Sequence, residues 1–295
     1  MRGPSYPTVV EHAVDWARVG EQAAPYEWVV ERGKVSEFAR ACLSEEEAYL
    51  GPDAIAPPTF PTVASNLWEP PGSRVGLDRP FDNRRVLHGG QSYTYERPLR
   101  VGETLTGRTH LAEAYEKQGS RGGTMRFAVW ETGFTDASGA RVATARGTVI
   151  ETAAAATDGA GRAGVQPDID PPAPEGPHMV VPGVTKLLFV RYAGASGDFN
   201  PIHWDEEYAA SAGYPSVFGM GMFTAGVLAS FLARWQGAHT IRSFAVRFVG
   251  LLWPGENVVC TGSERVADGL AHCELKVTNG RGEPKVTGTA TCVRP

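Results

Sequence analysis

Two long stretches of the chain alternate apolar and polar residues with a period of two, the mark of half-buried strands. The first is YTYERPLRVGETLTGRTHLAEAYEK (93–117), leading to MRFAVWETGFTDASGARVATARGTVIE (125–151). The second is FAVRFVGLLWPGENVVCTGSERVADG (244–269), leading to AHCELKVTNGRGEPKVTGTATCV (271–293). Each reads as a strand, a Gly-Glu turn, another strand and a long hairpin. The Gly-Glu turns, Gly102-Glu103 and Gly255-Glu256, lie 153 residues apart, and the final strands, 143–148 and 286–291, lie 143 apart. The ten-residue difference falls at the polar, Gly-rich 118–123 region, which reads as a loop insertion. A repeat of this kind predicts internal duplication.

A helical element precedes the strands in each half. One is 35–43, followed by a segment ending IAPPTF; the other is 191–195, followed by a loop and YPSVFGMGMFTAGVLASFLARW (214–235). In the latter, Phe223, Val227, Leu228 and Phe231 share one stripe, and Ala and Gly fill the space between. A helix apolar almost all round, followed by long antiparallel strands, predicts a sheet wrapped about a buried helix. The expected fold class is α+β, a double hot-dog, with two such halves side by side in one continuous antiparallel sheet. Pairing the halves hides the edge strand that each alone would expose. Residues 153–178, small residues with Pro and Asp, show no periodicity and read as a linker. The expected domains are thus 1–152, the linker 153–178, and 179–295.

Composition narrows the class. Gly (35) and Pro (22) are abundant for 295 residues, which speaks against a helical bundle, and a net charge of −5 offers no cationic field for nucleic acid. The most apolar stretch, 221–233, has 13 residues, against about 20 for a membrane span. The N-terminus shows no apolar signal region, and Cys42, Cys260, Cys273 and Cys292 show no metal-ligand spacing. The histidines at 12, 110, 178, 239 and 272 are scattered. These features predict a cytoplasmic protein with free thiols and no metal site.

The chemistry concentrates in RYAGASGDFNPIHWDEEYAASAGYPSVFGMGMFTAG (191–226). Asp198 and His203 lie five residues apart around an Asn-Pro turn, close enough to converge on one water and make it nucleophilic. Downstream, Gly221 opens the apolar helix. Its first amides have no internal acceptor and carry the positive end of the helix dipole. A glycine there lets a carbonyl approach, so the Gly221 amide is the expected oxyanion donor. Asp205, Glu206 and Glu207 read as the solvated first turn of a helix. His88, in VLHGGQ, reads as a structural hydrogen bonder at a strand start.

This segment resembles the hydratase 2 motif of MaoC-like (R)-specific enoyl-CoA hydratases and 3-hydroxyacyl-thioester dehydratases. DFNPIH carries the aspartate, asparagine and histidine, and the match continues into the helix-opening glycine. The histidine usual before that glycine is Met220 here. IAPPTF, VLHGGQSYTYERPLRVGETLTG and ATARGTVIE resemble the N-terminal MaoC-like dehydratase domain. The resemblance implies syn hydration of a trans-2-enoyl thioester, or the reverse dehydration. His203 acts as base towards water, Asp198 assists, and Gly221 holds the thioester oxygen. Asn200, Ser196 and Met222 are the expected substrate-binding residues. No cofactor is expected beyond coenzyme A or an acyl carrier as part of the substrate. Arg97, Arg100, Arg121, Arg191 and Arg247 are the candidates for its phosphates.

Aligning Phe38-Ala39 with Tyr192-Ala193 puts Ser44 near the Asp198 position, and no histidine follows it. One site per chain is therefore expected, the first half being a non-catalytic wall of the acyl tunnel. The chain is expected to form its own pseudo-dimer, with room for a homodimer, and to take an acyl thioester rather than nucleic acid or membrane as its partner. Two other readings are a hot-dog thioesterase and a non-catalytic acyl-binding subunit of a hetero-oligomer.

Overall fold

A computed structural model describes residues 16–82, 85–119, 123–152 and 168–294. The described strands form one ten-stranded sheet in the order β1-β3-β4-β5-β2-β7-β10-β9-β8-β6. In the first half, β1 (Tyr26–Val29) precedes α1 (Arg32–Ala41), α2 (Glu47–Leu50) and α3 (Pro61–Val63). A π-helical turn, Ala64–Trp68, extends α3. Then follow β2 (Val86–Tyr95), β3 (Thr104–Gln118), β4 (Thr124–Thr135) and β5 (Arg141–Glu151). The second half repeats the plan with β6 (His178–Val181), α4 (Lys186–Ser196), α5 (Glu206–Ser211) and α6 (Gly221–Gln236). It ends in β7 (Ile241–Phe248), β8 (Val258–Ala267), β9 (Leu270–Thr278) and β10 (Pro284–Val293).

This is the double hot-dog. The halves join where β2 pairs antiparallel with β7, from Gly90 opposite Arg247 to Thr94 opposite Ser243. The duplicated helices also meet: α1 packs on α4, with the Phe38 and Tyr192 rings 5.6 Å apart. α6 is buried on every side from Met222 to Ala233, as its composition requires. It reaches into the first half, where the Ser230 hydroxyl donates to the Cys42 carbonyl at 2.9 Å. All four cysteines are free and buried. Among the described residues no helix is long and apolar enough to cross a membrane.

Equivalent residues do equivalent work in the two halves. Asp136 accepts from the Ser138 and Ala140 amides in the β4–β5 turn, and Asn279 accepts from the Arg281 and Glu283 amides in the β9–β10 turn. Gly139 and Gly282, at φ +83° and +80°, complete these turns in the left-handed region that L side chains avoid. Glu103 accepts from the Arg100 amide and pairs with Arg97 at 2.9 Å. Glu256 accepts from the Trp253 amide of its own turn and from the Asn279 side-chain amide of the β9–β10 turn, and pairs with Lys285 at 2.8 Å.

Two expectations change in detail. The extra residues of the first half do not form a simple loop insertion; they lengthen the hairpin, β3 and β4 having 15 and 12 residues against 10 and 9 in β8 and β9. Of the expected linker, residues 153–167 lie outside the described residues. The described remainder is pinned to the second half, because the Asp168 carboxylate accepts from the amides of Asn257 (2.6 Å) and Gly280 (2.9 Å).

The Lys285–Glu256 pair is almost fully buried, with side chains 5% and 6% exposed. Removing one partner leaves an uncompensated charge in a medium that solvates it poorly. Lys285→Met is therefore expected to lower the unfolding free energy by about 3–5 kcal/mol, measured by urea denaturation. A loss within experimental error would show that the pair carries little of the second half's stability.

Candidate active site

The motif loop is built by local rules. α4 ends at Gly197, whose φ of +79° turns the chain sharply. A Cβ there would meet Leu67 Cδ2 at 2.6 Å, so the position needs glycine for space as well as for conformation. The Asn66 side-chain amide donates to the Ser196 carbonyl at 3.0 Å, tying the loop to the first half. Pro201 starts a short 3-10 turn through His203, and the Asn200 side chain caps it by accepting from the Ile202 amide at 3.3 Å.

His203 is held by a hydrogen bond of 2.8 Å between Nδ1 and the Phe218 carbonyl. A carbonyl only accepts, so Nδ1 carries the proton and Nε2 presents a lone pair. Burial holds the imidazole below the usual histidine pKa; the Asp198 carboxylate and the Phe218 bond oppose that without overcoming it. Asp198 accepts from the Asn200 amide at 3.3 Å through one oxygen. Its field reaches both His203 and His88.

Gly221 is the first residue of α6, and its amide has no acceptor within the helix. A Cβ at Gly221 would meet the Phe248 ring at 2.9 Å, so only glycine lets α6 start this close to β7. Asp198, Asn200, His203, Gly221 and Met222 line one cavity of about 360 Å³. Ser196 does not line it. Its hydroxyl is fully buried and accepts from the Asp198 amide at 3.2 Å, which positions the loop rather than a ligand.

The acidic run does more than face solvent. Asp205 caps α5 through the Glu207 and Tyr208 amides, and Glu206 accepts from the Val217 amide at 3.1 Å. That second bond fixes the segment that presents the Phe218 carbonyl to His203. Of the arginines proposed from sequence, Arg121 lies outside the described residues and the other four do not line the cavity. Arg97 is committed to Glu103 and Asp136. No group of three potential metal ligands occurs among the described residues.

The cavity does not stop at the second half. It continues over the first half's sheet, where His88, Gln91 and Tyr93 of β2 line it opposite Val149, Gly147 and Ala145 of β5. A β-bulge between His88 and Gly90 makes this possible. Gly89 is the extra residue, and it shifts the alternation so that His88 joins the face of Gln91 and Tyr93. The His88 ring lies 4.9 Å from Phe248, and its Nε2 is 3.2 Å from Gln91 Oε1. Burial, with help from the Arg74 charge, brings its pKa down to about 4. From sequence His88 read only as a structural hydrogen bonder at a strand start; the Gly-Gly pair after it was the available signal of the bulge.

A family model described as "MaoC like domain" matches residues 181–280, and one described as "FAS1-like, dehydratase domain region" matches 17–145. The chain belongs to the MaoC-like dehydratase family. That places it among the hydro-lyases. It is 29% identical over 236 residues to the 3-hydroxyacyl-thioester dehydratase X of Mycobacterium tuberculosis, covering 78% of this chain and 75% of that one. It is also 36% identical over 148 residues to a UPF0336 protein of Clavibacter michiganensis, covering 45% of this chain and 90% of that one. A solved MaoC-like dehydratase superposes with a TM-score of 0.78 at 22% identity, covering 94% of this chain and 99% of that one.

Folding keeps His88 and His203 neutral, so below pH 6.5 the unfolded chain binds more protons than the folded one. Stability is therefore expected to fall as pH drops below about 6.5, the His88 contribution continuing down to about pH 4. Ring-nitrogen NMR should find His203 uncharged and protonated at Nδ1 at the unperturbed histidine pKa. An imidazolium at His203 there would contradict the assignment.

Proposed function

We propose that the protein interconverts trans-2-enoyl and (R)-3-hydroxyacyl thioesters by adding or removing water. The observation that carries this is the convergence, in one cavity, of a neutral histidine with its Nε2 lone pair free, a carboxylate beside it and the first amide of α6. His203 takes a proton from a water that Asp198 holds, and the oxygen attacks C3 of the enoyl group. The C2–C3 π electrons move towards the thioester carbonyl, and the Gly221 amide receives the developing oxyanion. The proton returns to C2 from the same dyad, on the face where the hydroxyl arrived, which gives syn addition. The M. tuberculosis relative bears the name of this chemistry.

Each step uses residues of this chain, and no metal or redox cofactor enters the scheme. Coenzyme A or an acyl carrier is the thioester end of the substrate rather than a resident group, and it stays attached throughout. The first half has no acid–base pair at the equivalent position: Ser44 is buried there and Glu45 follows. It serves as the wall of the acyl site.

The test is incubation with crotonyl-CoA. Loss of the conjugated enone without release of free thiol is expected; thiol release would mean hydrolysis instead. Asp198→Asn is expected to lower kcat at least about a hundredfold, within the range for lost acid–base catalysis, with the melting temperature little changed. Gly221→Ala drives a methyl group against Phe248 and is expected to lower kcat on the order of a hundredfold, the effect of a displaced oxyanion donor. Full turnover in both variants would refute these roles.

A further inference from the structure

The part of the cavity where the acyl chain must lie is not lined by hydrocarbon alone: polar groups interrupt the apolar surface of Val86, Leu87, Trp130, Ala145 and Val149. Glu69, Arg74, Gln91, Thr109 and Thr132 all border it. The Thr109 hydroxyl donates to Glu69 Oε1 and lies 2.7 Å from the Thr132 hydroxyl. Since the Thr109 proton is given to the carboxylate, Thr132 donates to Thr109, and the chain of hydroxyls runs one way. Its lone pairs on Thr132 and the second Glu69 oxygen remain available as acceptors. Arg74 supplies the complementary donors. Its guanidinium rests 5.7 Å from the centre of the Trp130 ring, on an exposed side chain whose charge reaches Glu69.

Thr132 and Thr109 sit on β4 and β3, two and three strands beyond β2 in the sheet. At the ordinary strand spacing that is roughly 10–14 Å from the strand that carries His88. The polar floor therefore meets the distal part of the acyl group and not the reacting carbons. A plain alkyl chain laid here would strip water from these groups and return no hydrogen bond. A carboxylate would meet Arg74 but also Glu69. A hydroxyl both donates and accepts, and so satisfies Glu69 or Thr132 on one side and Arg74 on the other.

We infer that the acyl thioester this site takes carries a neutral hydroxyl group far from the thioester, recognised by the Glu69–Thr109–Thr132 chain and Arg74. The inference rests on the hydro-lyase reading for the location of the thioester end. It adds the class of acyl group.

Binding separates the two. Three saturated acyl-CoA thioesters of one medium chain length serve as probes: a plain chain, one ending in a hydroxyl and one ending in a carboxylate. None has a double bond, so calorimetric titration of the full chain reads recognition without turnover. The hydroxyl-ended probe is expected to bind at least about tenfold tighter than the plain one, as sites built to hydrogen-bond a hydroxyl discriminate strongly. Thr132→Val and Glu69→Gln, each checked for an unchanged circular dichroism spectrum, are expected to shrink that preference to near parity. Should either variant misfold, the wild-type ranking of the three probes decides alone. Equal or tighter binding of the plain chain, tightest binding of the carboxylate, or a preference that survives in folded variants would overturn the inference. If the hydroxyl preference holds while crotonyl-CoA is not hydrated, the hydro-lyase reading fails and this one stands.

Discussion

The pairing of β2 with β7 is the interaction on which the rest of the structure depends. It fuses two half-sheets into one and leaves α6, packed on β7–β10 of the second half, touching the first half at Cys42. It also sets His88 of the first half against Phe248 of the second, which in turn abuts the start of α6 at Gly221. The close approach needs small residues at the seam. A Cβ on Gly90 would stand 2.9 Å from the Val246 carbonyl, and one on Gly288, a strand further on, 2.7 Å from that of Ala245. The cavity exists because two unequal halves meet there, one carrying Asp198 and His203 on its loop and one with Ser44 and no histidine in the matching place.

That asymmetry explains the electrostatics. The second half contributes a carboxylate and a neutral imidazole whose tautomer is fixed by a backbone carbonyl. The first half contributes a second neutral imidazole, a half-buried carboxyl whose pKa burial raises, and an arginine. Burial favours the uncharged state of both histidines. An uncharged imidazole from each half therefore faces the cavity near neutral pH.

Much of this was legible in the residues. The Gly-Glu turns and the Asp136 and Asn279 turns announced the duplication because their geometry demands those residue types. The apolar circumference of α6 announced its burial. DFNPIH brought Asp198 and His203 to one cavity, since Pro201 and the Asn200 cap are local rules that act without tertiary help. What stayed hidden depends on tertiary placement. The single-residue bulge at Gly89 reverses which face His88 occupies, and strict alternation cannot foresee it. The meeting of Glu69, Thr109 and Thr132 joins a loop to two strands, with no sequence spacing to reveal it. Ser196 looked like a substrate contact because it adjoins the motif, but the last turn of α4 turns it inward. Arg74 escaped notice because nothing in its own neighbourhood marks it as facing a cavity.

The central claim is that one dyad adds water to a conjugated thioester, and the structure of the product tests it most directly. Crotonyl-CoA incubated with the protein in deuterium oxide should give intact 3-hydroxybutyryl-CoA of R configuration, with a single deuterium at C2 on the face that received the hydroxyl. Free coenzyme A with an unaltered crotonyl group, or a product with the hydroxyl and deuterium on opposite faces, would contradict the account.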